Sequence, residues 1–519
     1  MGTTDSVEIT IDPALSYDYF GWELIGALGS ALVDIRPGSQ AAASDIIPAL
    51  ATSWNASVDG LIYDFNLRTG VVFAETGHLK FNSTIVKYSF DRNCNLTGDG
   101  LYEPDGAPAN IGYQDIIENV TILSEYRVRF YLKIPFAPFL QLMTAQSSFM
   151  VHPDYAPKNA VVNYTAGDPR HSHACGLGPY TLTKYVRVGG TDQEVRLTKN
   201  PYYWNASAGY PKINETVIVH YATDSALQGA MLAGEIDVAF RQLSADQVLA
   251  FKANPFVRVW QGIGAQIQYM CFQQRAYPFN ETAIRRGIAA ALNRPNVCHT
   301  VFKDLFNPLY SIIAAGLAFQ KPSFNKYGSA NYTYTINQLA TKGYNAGNKL
   351  VVDLWYETTG HYPQSAEQAT VYKQDLEASG VITVVLHGIE WSTFRSYRNA
   401  GTMPVFIYGW YPDYVDADDY GFLPFASWLN MGYNDSYPAG GVAQALLWDQ
   451  ARSTTNATER QIKYYALQDL QADECSVIPL WQSGSIAISK PDVHGIVMDI
   501  TANWRHWLLY YGAQAMSGP

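Results

Sequence analysis

Two turn motifs separated by one strand restrict the fold of this chain more than any other feature of its sequence. The first is Gly176–Tyr180, which contains a Gly-Pro pair, and the second is Lys199–Trp204, which contains Asn-Pro followed by aromatic residues. The intervening segment ends in Val195–Leu197, whose alternation is typical of a β-strand. Gly-Pro and Asn-Pro pairs mark turns because proline fixes φ and glycine adopts backbone angles that other residues avoid. The motif predicts a strand held between two fixed turns, and by itself no chemistry.

Local patterning elsewhere favours an α/β architecture. Alternating apolar residues at 7–11 and 216–221 predict strands, and helical spacing at 225–234 and 282–293 predicts helices. Strands interleaved with helices are typical of α/β lobes. A chain of 519 residues is too long for a single core, so we expect two or three domains.

The two turns and the strand between them resemble the core signature of a known family. The order Gly-x-Gly-Pro-Tyr, strand, Asn-Pro-x-Tyr-Trp is similar to that of the family 5 extracellular solute-binding proteins, the oligopeptide-, dipeptide- and nickel-binding receptors (cluster C) of ABC importers. Further fragments resemble the family in the same order along the chain: 11–15, 24–28, 47–54, 63–68, 72–73, 234–237, 284–294, 409–414 and 478–480. Each fragment is weak alone, whereas the ordered series is specific.

The resemblance implies an α/β fold of the type II periplasmic-binding-protein kind, with two lobes, a hinge and an inserted extra domain. It places lobe I at 1–40, 171–262 and 481–519, the inserted domain at 41–170, and lobe II at 263–480. Gly262 and Gly264 flank one crossing between the lobes. We expect them to act as hinge residues because glycine accepts wide backbone rotation.

The resemblance also implies a receptor that captures a peptide and delivers it to ABC transporter permease subunits. The segment Gly409–Asp413 matches, residue by residue, a motif whose carboxylate holds the α-ammonium of the ligand. Such a charge-assisted bond is about twice as strong as a neutral one, although an aspartate at this place also suits a turn. The predicted ligand-binding residues are Asp413, Trp410, Tyr408, Tyr411, Gly26, Ala27, Arg241 and His361.

The chain departs from the peptide-binding pattern at two positions. Dipeptide-binding members carry an arginine near the segment that here reads Gln364–Gln368, and oligopeptide-binding members often carry one where this chain has Ile407–Tyr408. A longer peptide held by backbone pairing, or an oligosaccharide stacked on Trp and Tyr faces, is the alternative ligand. The substitute partners for a ligand carboxylate are Arg241, His361, Arg395 and Arg398.

Charge and metal-like motifs exclude several other classes. A net charge of −11 argues against nucleic acid as a partner, since phosphate binding needs a basic face. His171, His173 and Cys175 alternate like ligands on a strand, but three ligands without a fourth rarely hold a metal. Asp413, Asp416, Asp418 and Asp419 lack the spacing of an EF-hand, and their calcium binding stays open. We expect no metal and no cofactor.

The alternative function is catalysis, by a secreted glycosidase or peptidase. The sequence contains no HExxH zinc motif, no GxSxG nucleophile elbow and no phosphate loop. Paired carboxylates for glycoside cleavage are defined by their separation in space, and the aspartates at 413–419 are the candidates. We expect a receptor and not an enzyme.

Asparagine-linked glycosylation sequons indicate an extracellular protein, for which an archaeal origin is a hypothesis. Eleven occur, whereas the composition predicts about four by chance, and an Asn-, Ser- and Thr-rich composition is the alternative explanation. They are Asn55, Asn82, Asn95, Asn119, Asn163, Asn205, Asn214, Asn280, Asn331, Asn434 and Asn456.

The termini and the cysteines bear on the same setting. Nothing before Thr3 resembles a signal peptide and no anchor motif precedes Pro519, so we expect that both segments were removed. Association with the membrane would then depend only on the missing anchor. We also expect the protein to be a monomer. The five cysteines allow at most two disulfides. The resemblance places Cys94 and Cys175 at the edges of the second domain and so allows a disulfide between them, with buried thiols as the alternative.

Overall fold

The computed structural model describes residues 1–8, 10–39, 43–74, 78–96, 111–162, 176–241, 243–433 and 438–512. His171, His173 and Cys175 lie outside the described residues, so the metal-like motif and the proposed disulfide stay predictions. Cys271, Cys298 and Cys475 are buried thiols.

The described strands, in chain order, are β1 Gly2–Thr3, β2 Val33–Ile35, β3 Ile46–Pro48, β4 Ala51–Ala56, β5 Ile62–Leu67, β6 Ile117–Ser124, β7 Arg127–Leu132, β8 Tyr180–Val188, β9 Thr191–Lys199, β10 Glu215–His220, β11 Val238–Phe240, β12 Arg258–Phe272, β13 Asn307–Pro308, β14 Leu350–Glu357, β15 Ile382–Ile389, β16 Val405–Trp410, β17 Val477–Ser489, β18 Val493–His494 and β19 Tyr510–Tyr511.

The described α-helices are α1 Tyr19–Leu28, α2 Ser83–Leu96, α3 Tyr113–Ile116, α4 Phe139–Leu142, α5 Asp224–Ala233, α6 Ala245–Lys252, α7 Thr282–Ala291, α8 Arg294–Thr300, α9 Tyr332–Ala340, α10 Ser365–Glu377, α11 Trp391–Ala400, α12 Asp418–Gly421, α13 Pro438–Arg452 and α14 Ala457–Glu474. The predicted strand at 216–221 and the predicted helices at 225–234 and 282–293 are confirmed as β10, α5 and α7.

The predicted strand at 7–11 is wrong, because its backbone and polar side chain bond elsewhere. Val7 N–H donates to Asp192 Oδ2 at 2.7 Å, and Thr10 Oγ1 donates to the Val162 carbonyl at 2.7 Å. Val7 and Ile11 are both buried in the core, which explains the apolar alternation. The alternation of apolar residues here reflects the burial of Val7 and Ile11 and not the pairing of a strand.

The chain forms two compact units. Unit 1 contains Met1–Leu243, Gln247–Gly262 and Ser485–Pro519, and unit 2 contains Ser244–Asp246 and Ile263–Gly484. The long strands β12 and β17 each contain one crossing point of the chain between the units. Unit 1 includes both the expected lobe I and the expected inserted domain, so the subdivision at 41–170 stays a prediction.

Unit 1 is built around two sheets. Strands β8, β9, β10, β1, β11 and β17 neighbour one another in that order; β1 is parallel to β10 and β11, whereas the other pairs are antiparallel. Helix α1 packs on β8, and the core beneath them contains Phe20, Leu24, Leu182 and Leu197. Strands β4, β5, β7 and β6 form a separate antiparallel sheet.

Unit 2 is built around strands in the order β15, β14, β16 and β12. Strand β14 is parallel to β15 and β16, and β12 is antiparallel to β16. All six residues of β16 are buried, as expected of a strand covered on both faces, and its sequence is correspondingly apolar. The predicted site segment begins at the last residues of this strand.

Two features of the local backbone explain sequence choices noted above. Three sequon asparagines begin helices by accepting backbone N–H bonds: Asn82 from Thr84 at 3.0 Å, Asn331 from Tyr334 at 3.2 Å, and Asn456 from Thr458 at 3.0 Å. Gly262 and Gly264 lie inside β12, where a Cβ would meet the Met498 carbonyl oxygen at 2.0 Å and Ser483 Oγ at 2.2 Å. Close approach thus requires these glycines, and their hinge role stays a prediction.

Candidate functional site

The predicted Gly-Trp-Tyr-Pro-Asp segment lies in unit 2, where it begins in the last two residues of strand β16 and continues into the following loop. A Cβ at Gly409 would lie 2.6 Å from the Tyr362 ring, and the Tyr362 hydroxyl donates to the Gly409 carbonyl at 3.2 Å. Only glycine therefore fits before Trp410. The close contact fixes where the strand ends and the loop that carries Asp413 begins.

Asp413 is held in place by a second aspartate. Its backbone N–H donates to Asp419 Oδ2 at 2.6 Å, and the indole Nε1 of Trp410 donates to the same oxygen at 3.4 Å. The side chains of all three residues are largely buried. Burial and the neighbouring Asp413 charge raise the pKa of Asp419 well above its usual range.

The other two aspartates of the cluster are paired with arginines. Arg460 donates to both carboxylate oxygens of Asp416, at 3.1 and 2.5 Å, and Arg452 lies 3.3 Å from Asp418. Asp416 and Asp418 therefore form buried ion pairs within unit 2. Within the described ranges, no group of three or more acidic, His or Cys side chains could hold a metal ion.

Aromatic rings form a continuous wall beside Trp410. The Trp410 ring stacks on Trp428 with centroids 5.7 Å apart, and Tyr408 lies 5.5 Å from Trp428. Arg398 donates to the Tyr408 hydroxyl at 2.9 Å, and its guanidinium lies 5.1 Å from the Trp428 centroid. The wall thus carries a cation, which stacks on the aromatic surface.

His361 and Tyr411 are the most exposed of the predicted residues in unit 2. The His361 ring stacks on Trp391 at 3.7 Å, and Trp391 lies 6.5 Å from Tyr408, so His361 extends the aromatic wall. Tyr411 is 36% exposed, directly after Trp410. The structure thus brings Tyr408, Trp410, Asp413 and His361 into one region of unit 2.

Unit 1 contains a pocket of its own beside α1. Gly26, Glu23 and Asp34 lie in its wall. Aromatic side chains make up much of the remaining lining, including Trp22, Phe149, Tyr203, Trp204, Trp504 and Trp507. A Cβ at Gly26 would meet no atom within 4 Å, so this glycine keeps the pocket open.

Two of the residues predicted to bind ligand, Ala27 and Arg241, make close contacts within unit 1. Ala27 is fully buried, which leaves its side chain no surface for a ligand. Arg241 forms ion pairs with Asp5 at 3.0 Å and Glu23 at 3.2 Å, and Glu23 also accepts from His506 at 3.0 Å. Both carboxylates hold the Arg241 guanidinium in unit 1, and its role as a ligand partner stays a prediction.

The signature turns build one side of this pocket. Asn200 donates its side-chain amide to the Gly178 carbonyl at 2.8 Å, which ties the second turn to the first. A Cβ at Gly178 would lie 2.4 Å from the Leu28 carbonyl carbon, so this glycine lets the turn pack on the end of α1. Pro179, Tyr203 and Trp204 then line the pocket. Sequence reasoning found these turns but missed the pocket behind them.

Comparison with known proteins identifies the family. Residues 45–431 match the model of the bacterial extracellular solute-binding proteins, family 5. The chain belongs to this family. Its members are substrate-binding receptors and not enzymes, which confirms the receptor prediction and removes the glycosidase and peptidase alternatives.

Individual solute-binding proteins resemble the chain over most of its length. The di/tripeptide-binding protein 2 of Pseudomonas aeruginosa is 29% identical over 402 residues, which are 76% of this chain and 72% of that protein. NikA from Brucella suis, solved with Fe(III)-EDTA, superimposes with a TM-score of 0.82 at 19% identity, covering 99% of both chains. DppA from Helicobacter pylori, solved with the peptide STSA, gives 0.77 at 21% identity and covers 98% of this chain and 97% of that one.

These likenesses confirm the predicted α/β fold of the type II periplasmic-binding-protein kind. The family to which the chain belongs is described as extracellular. In the part of the chain that the structure describes, no helix has the length and apolarity to span a bilayer.

Proposed function

We propose that this solute-binding protein captures a peptide with a free N-terminus and delivers it to the permease subunits of an ABC transporter. The observation that carries the proposal is Asp413, a buried carboxylate beside Trp410 at the exit of strand β16. A carboxylate in a water-poor site pairs strongly with an α-ammonium group. Proteins that resemble the chain are described as di/tripeptide-binding or were solved with a peptide.

Arg398 is the proposed partner of the ligand's carboxylate. Of the four substitutes that the sequence offered, Arg241 is held by Asp5 and Glu23, whereas Arg398 lies against the Tyr408 and Trp428 rings. Its guanidinium is half-buried and donates to the Tyr408 hydroxyl, so it is oriented in advance. An oriented cation on an aromatic wall suits a carboxylate or a peptide carbonyl.

The test combines ligand identification with two single variants. Mass spectrometry of small molecules released from the denatured protein should reveal peptides. Calorimetric titration with trialanine should show binding, and N-acetyl-trialanine, which lacks the ammonium, should bind much more weakly. Asp413→Ala should cost about 2–5 kcal/mol of binding free energy, because it leaves a buried charge unpaired.

An oligosaccharide ligand is the alternative outcome, favoured by the Trp410 and Trp428 stack. In that case Trp410→Ala should be the more damaging change, and Asp413→Ala should cost only about 1–3 kcal/mol through lost hydroxyl bonds. Wild-type affinity in both variants would contradict the proposed site for either ligand.

Closure of two lobes about Gly262 and Gly264 is part of the proposal. A ligand drives closure when it binds the closed state more tightly than the open one. Small-angle scattering should show a smaller radius of gyration when a saturating binding peptide is present. An unchanged radius under these conditions would contradict closure.

The cellular setting is proposed on sequence grounds. We propose a monomer at an archaeal cell surface, of the cluster C type, held there by an anchor and carrying glycans at some sequons. Asn55, Asn119 and Asn214 are exposed sequon positions, so they are the first sites to examine by mass analysis of protein from the native source. Unmodified asparagine at all of them would contradict glycosylation.

A further inference from the structure

Asp419 differs from Asp416 and Asp418 because it has no arginine partner among the described residues. Arg460 neutralises Asp416 and Arg452 neutralises Asp418, whereas Asp419 forms no ion pair with any residue that the structure describes. It is 3% exposed. A buried carboxylate without a cation costs far more free energy when ionised than when protonated.

The bonds that Asp419 accepts both end on one oxygen. Asp413 N–H and Trp410 Nε1 donate to Oδ2, at 2.6 and 3.4 Å, which leaves Oδ1 to carry a proton. Asp419 thus fixes the backbone of Asp413 in either charge state. Oδ1 of Asp419 is the oxygen that is able to gain or lose a proton.

The surrounding titratable groups favour the protonated form. Asp413 and Asp418 are the carboxyl groups that act on Asp419, and the Asp418 charge is already offset by Arg452. The phenols of Tyr269, Tyr414 and Tyr420 also lie near it, and each donates its hydroxyl to another group. Burial raises the pKa of all three phenols well above the usual value, so they stay neutral. Asp413 is the residue to which the proposed function assigns the ligand's ammonium group, so its interaction with Asp419 is the one that a ligand would change.

We propose that Asp419 carries a proton when the site is empty and releases it to solvent when a cationic group of the ligand binds at Asp413. The inference rests on the proposed function, since the cation is the α-ammonium of the peptide. Burial is the main reason that Asp419 is neutral, and repulsion from Asp413 adds to it. The positive charge of the ligand offsets that repulsion and supplies the nearby cation that favours ionised Asp419. Asp419 is a positioning residue, and it couples ligand capture to the release of one proton.

The test is calorimetric titration of the protein with trialanine from about pH 5 to about pH 7, where the peptide stays zwitterionic. In buffers of different ionisation enthalpy, the wild type should release up to about one proton for each peptide bound, and its affinity should rise by up to about tenfold for each pH unit. Asp419→Asn keeps an oxygen that accepts from Asp413 and Trp410, and it should bind with no proton release and a flat pH profile.

Asp375→Asn is the matched control in the same unit. Asp375 is also a buried carboxyl, but it accepts from Asn293 and Asn296 on another part of unit 2. This variant should keep the proton release of the wild type. Release that persists in Asp419→Asn, or that is lost equally in Asp375→Asn, would overturn the inference.

A second measurement separates the inference from the proposed function. The infrared spectrum of the unliganded protein at about pH 7 should contain a protonated-carboxyl band that Asp419→Asn lacks and Asp375→Asn retains. Trialanine binding without proton release would overturn the inference alone. Failure of trialanine and of every peptide found by mass spectrometry to bind would overturn the proposed function, and the ligand-coupled step with it.

Discussion

Asn200 and Gly178 join the two turns of the family signature through one buried hydrogen bond, 2.8 Å from the side-chain amide to the carbonyl oxygen. Asn200 also donates its backbone N–H to Pro179 at 2.9 Å and accepts from Tyr202 N–H at 2.8 Å. A single fully buried side chain therefore sets the distance between the two ends of the hairpin formed by β8 and β9. The sequence predicted one strand between these turns, and the glycine pair Gly189–Gly190 divides it into two.

The first prediction concerns this asparagine. Asn200→Ala should lower the free energy of unfolding by about 1–3 kcal/mol, because it leaves the buried Gly178 carbonyl and the Tyr202 N–H without their partner. Urea unfolding followed by fluorescence measures the change. Asn214→Ala, at an exposed position in the same unit, should stay within about 0.5 kcal/mol of the wild type. Equal effects of the two changes would contradict the role of Asn200.

The second prediction compares two glycines of unit 1. Gly178→Ala should destabilise the protein by about 1–3 kcal/mol or more, since its Cβ would overlap the backbone of Leu28 and Gly29. Gly26→Ala lies in α1 with open space around it and should be stabilising by about 0.5–1 kcal/mol. Thermal melts of both variants decide the matter. A stable Gly178→Ala variant would mean that the turn does not pack tightly on α1.

The third prediction concerns the buried ion pair of Asp416 and Arg460. Asp416→Asn should cost about 3–5 kcal/mol of stability, because the Arg460 charge is left buried without its partner. The ion pair of Glu281 and Lys342 is more exposed than that of Asp416 and Arg460, so Glu281→Gln should cost no more than about 1 kcal/mol. Denaturant midpoints test the difference. A chelator should leave both midpoints unchanged, whereas a calcium-dependent midpoint would contradict the assignment of Asp416 to Arg460.

The fourth prediction is a pH dependence of stability from Asp375. Burial raises the pKa of Asp375 from 3.8 to about 6. The folded protein therefore binds this proton more tightly than the unfolded chain, and the stabilisation is complete below about pH 4 and is lost as the pH rises through about 6. Relative to wild type, Asp375→Asn should gain about 2–3 kcal/mol between about pH 4 and about pH 7. A pH-independent difference would contradict the shifted pKa.

The signature turns and the strand exit were predictable because glycine and proline restrict the backbone locally. Gly409 shows the limit of that reasoning. The sequence indicates a glycine before Trp410, but the reason for it is the Tyr362 ring, which comes from a loop 47 residues earlier. Local rules thus predicted the element without its cause.

The partners of charged residues were not predictable in the same way. Arg241 pairs with Asp5 and Glu23, which precede it by 236 and 218 residues. No spacing rule joins such positions, because the contact depends on how unit 1 folds as a whole. The same holds for Asp416 and Arg460. The aspartates at 413–419 therefore looked like one site in the sequence, whereas in the structure Asp416 and Asp418 pair with different arginines.

The three capping asparagines have a practical consequence for anyone who removes glycans by mutagenesis. Replacing Asn331 or Asn456 by glutamine deletes a sequon and a helix cap together, and loss of the cap alone costs about 1 kcal/mol. A drop in melting temperature caused by the lost cap would then be credited to the loss of a glycan. Mutating Thr333 or Thr458 to alanine destroys the same sequons and leaves the caps in place, so the change in stability no longer includes the loss of a cap.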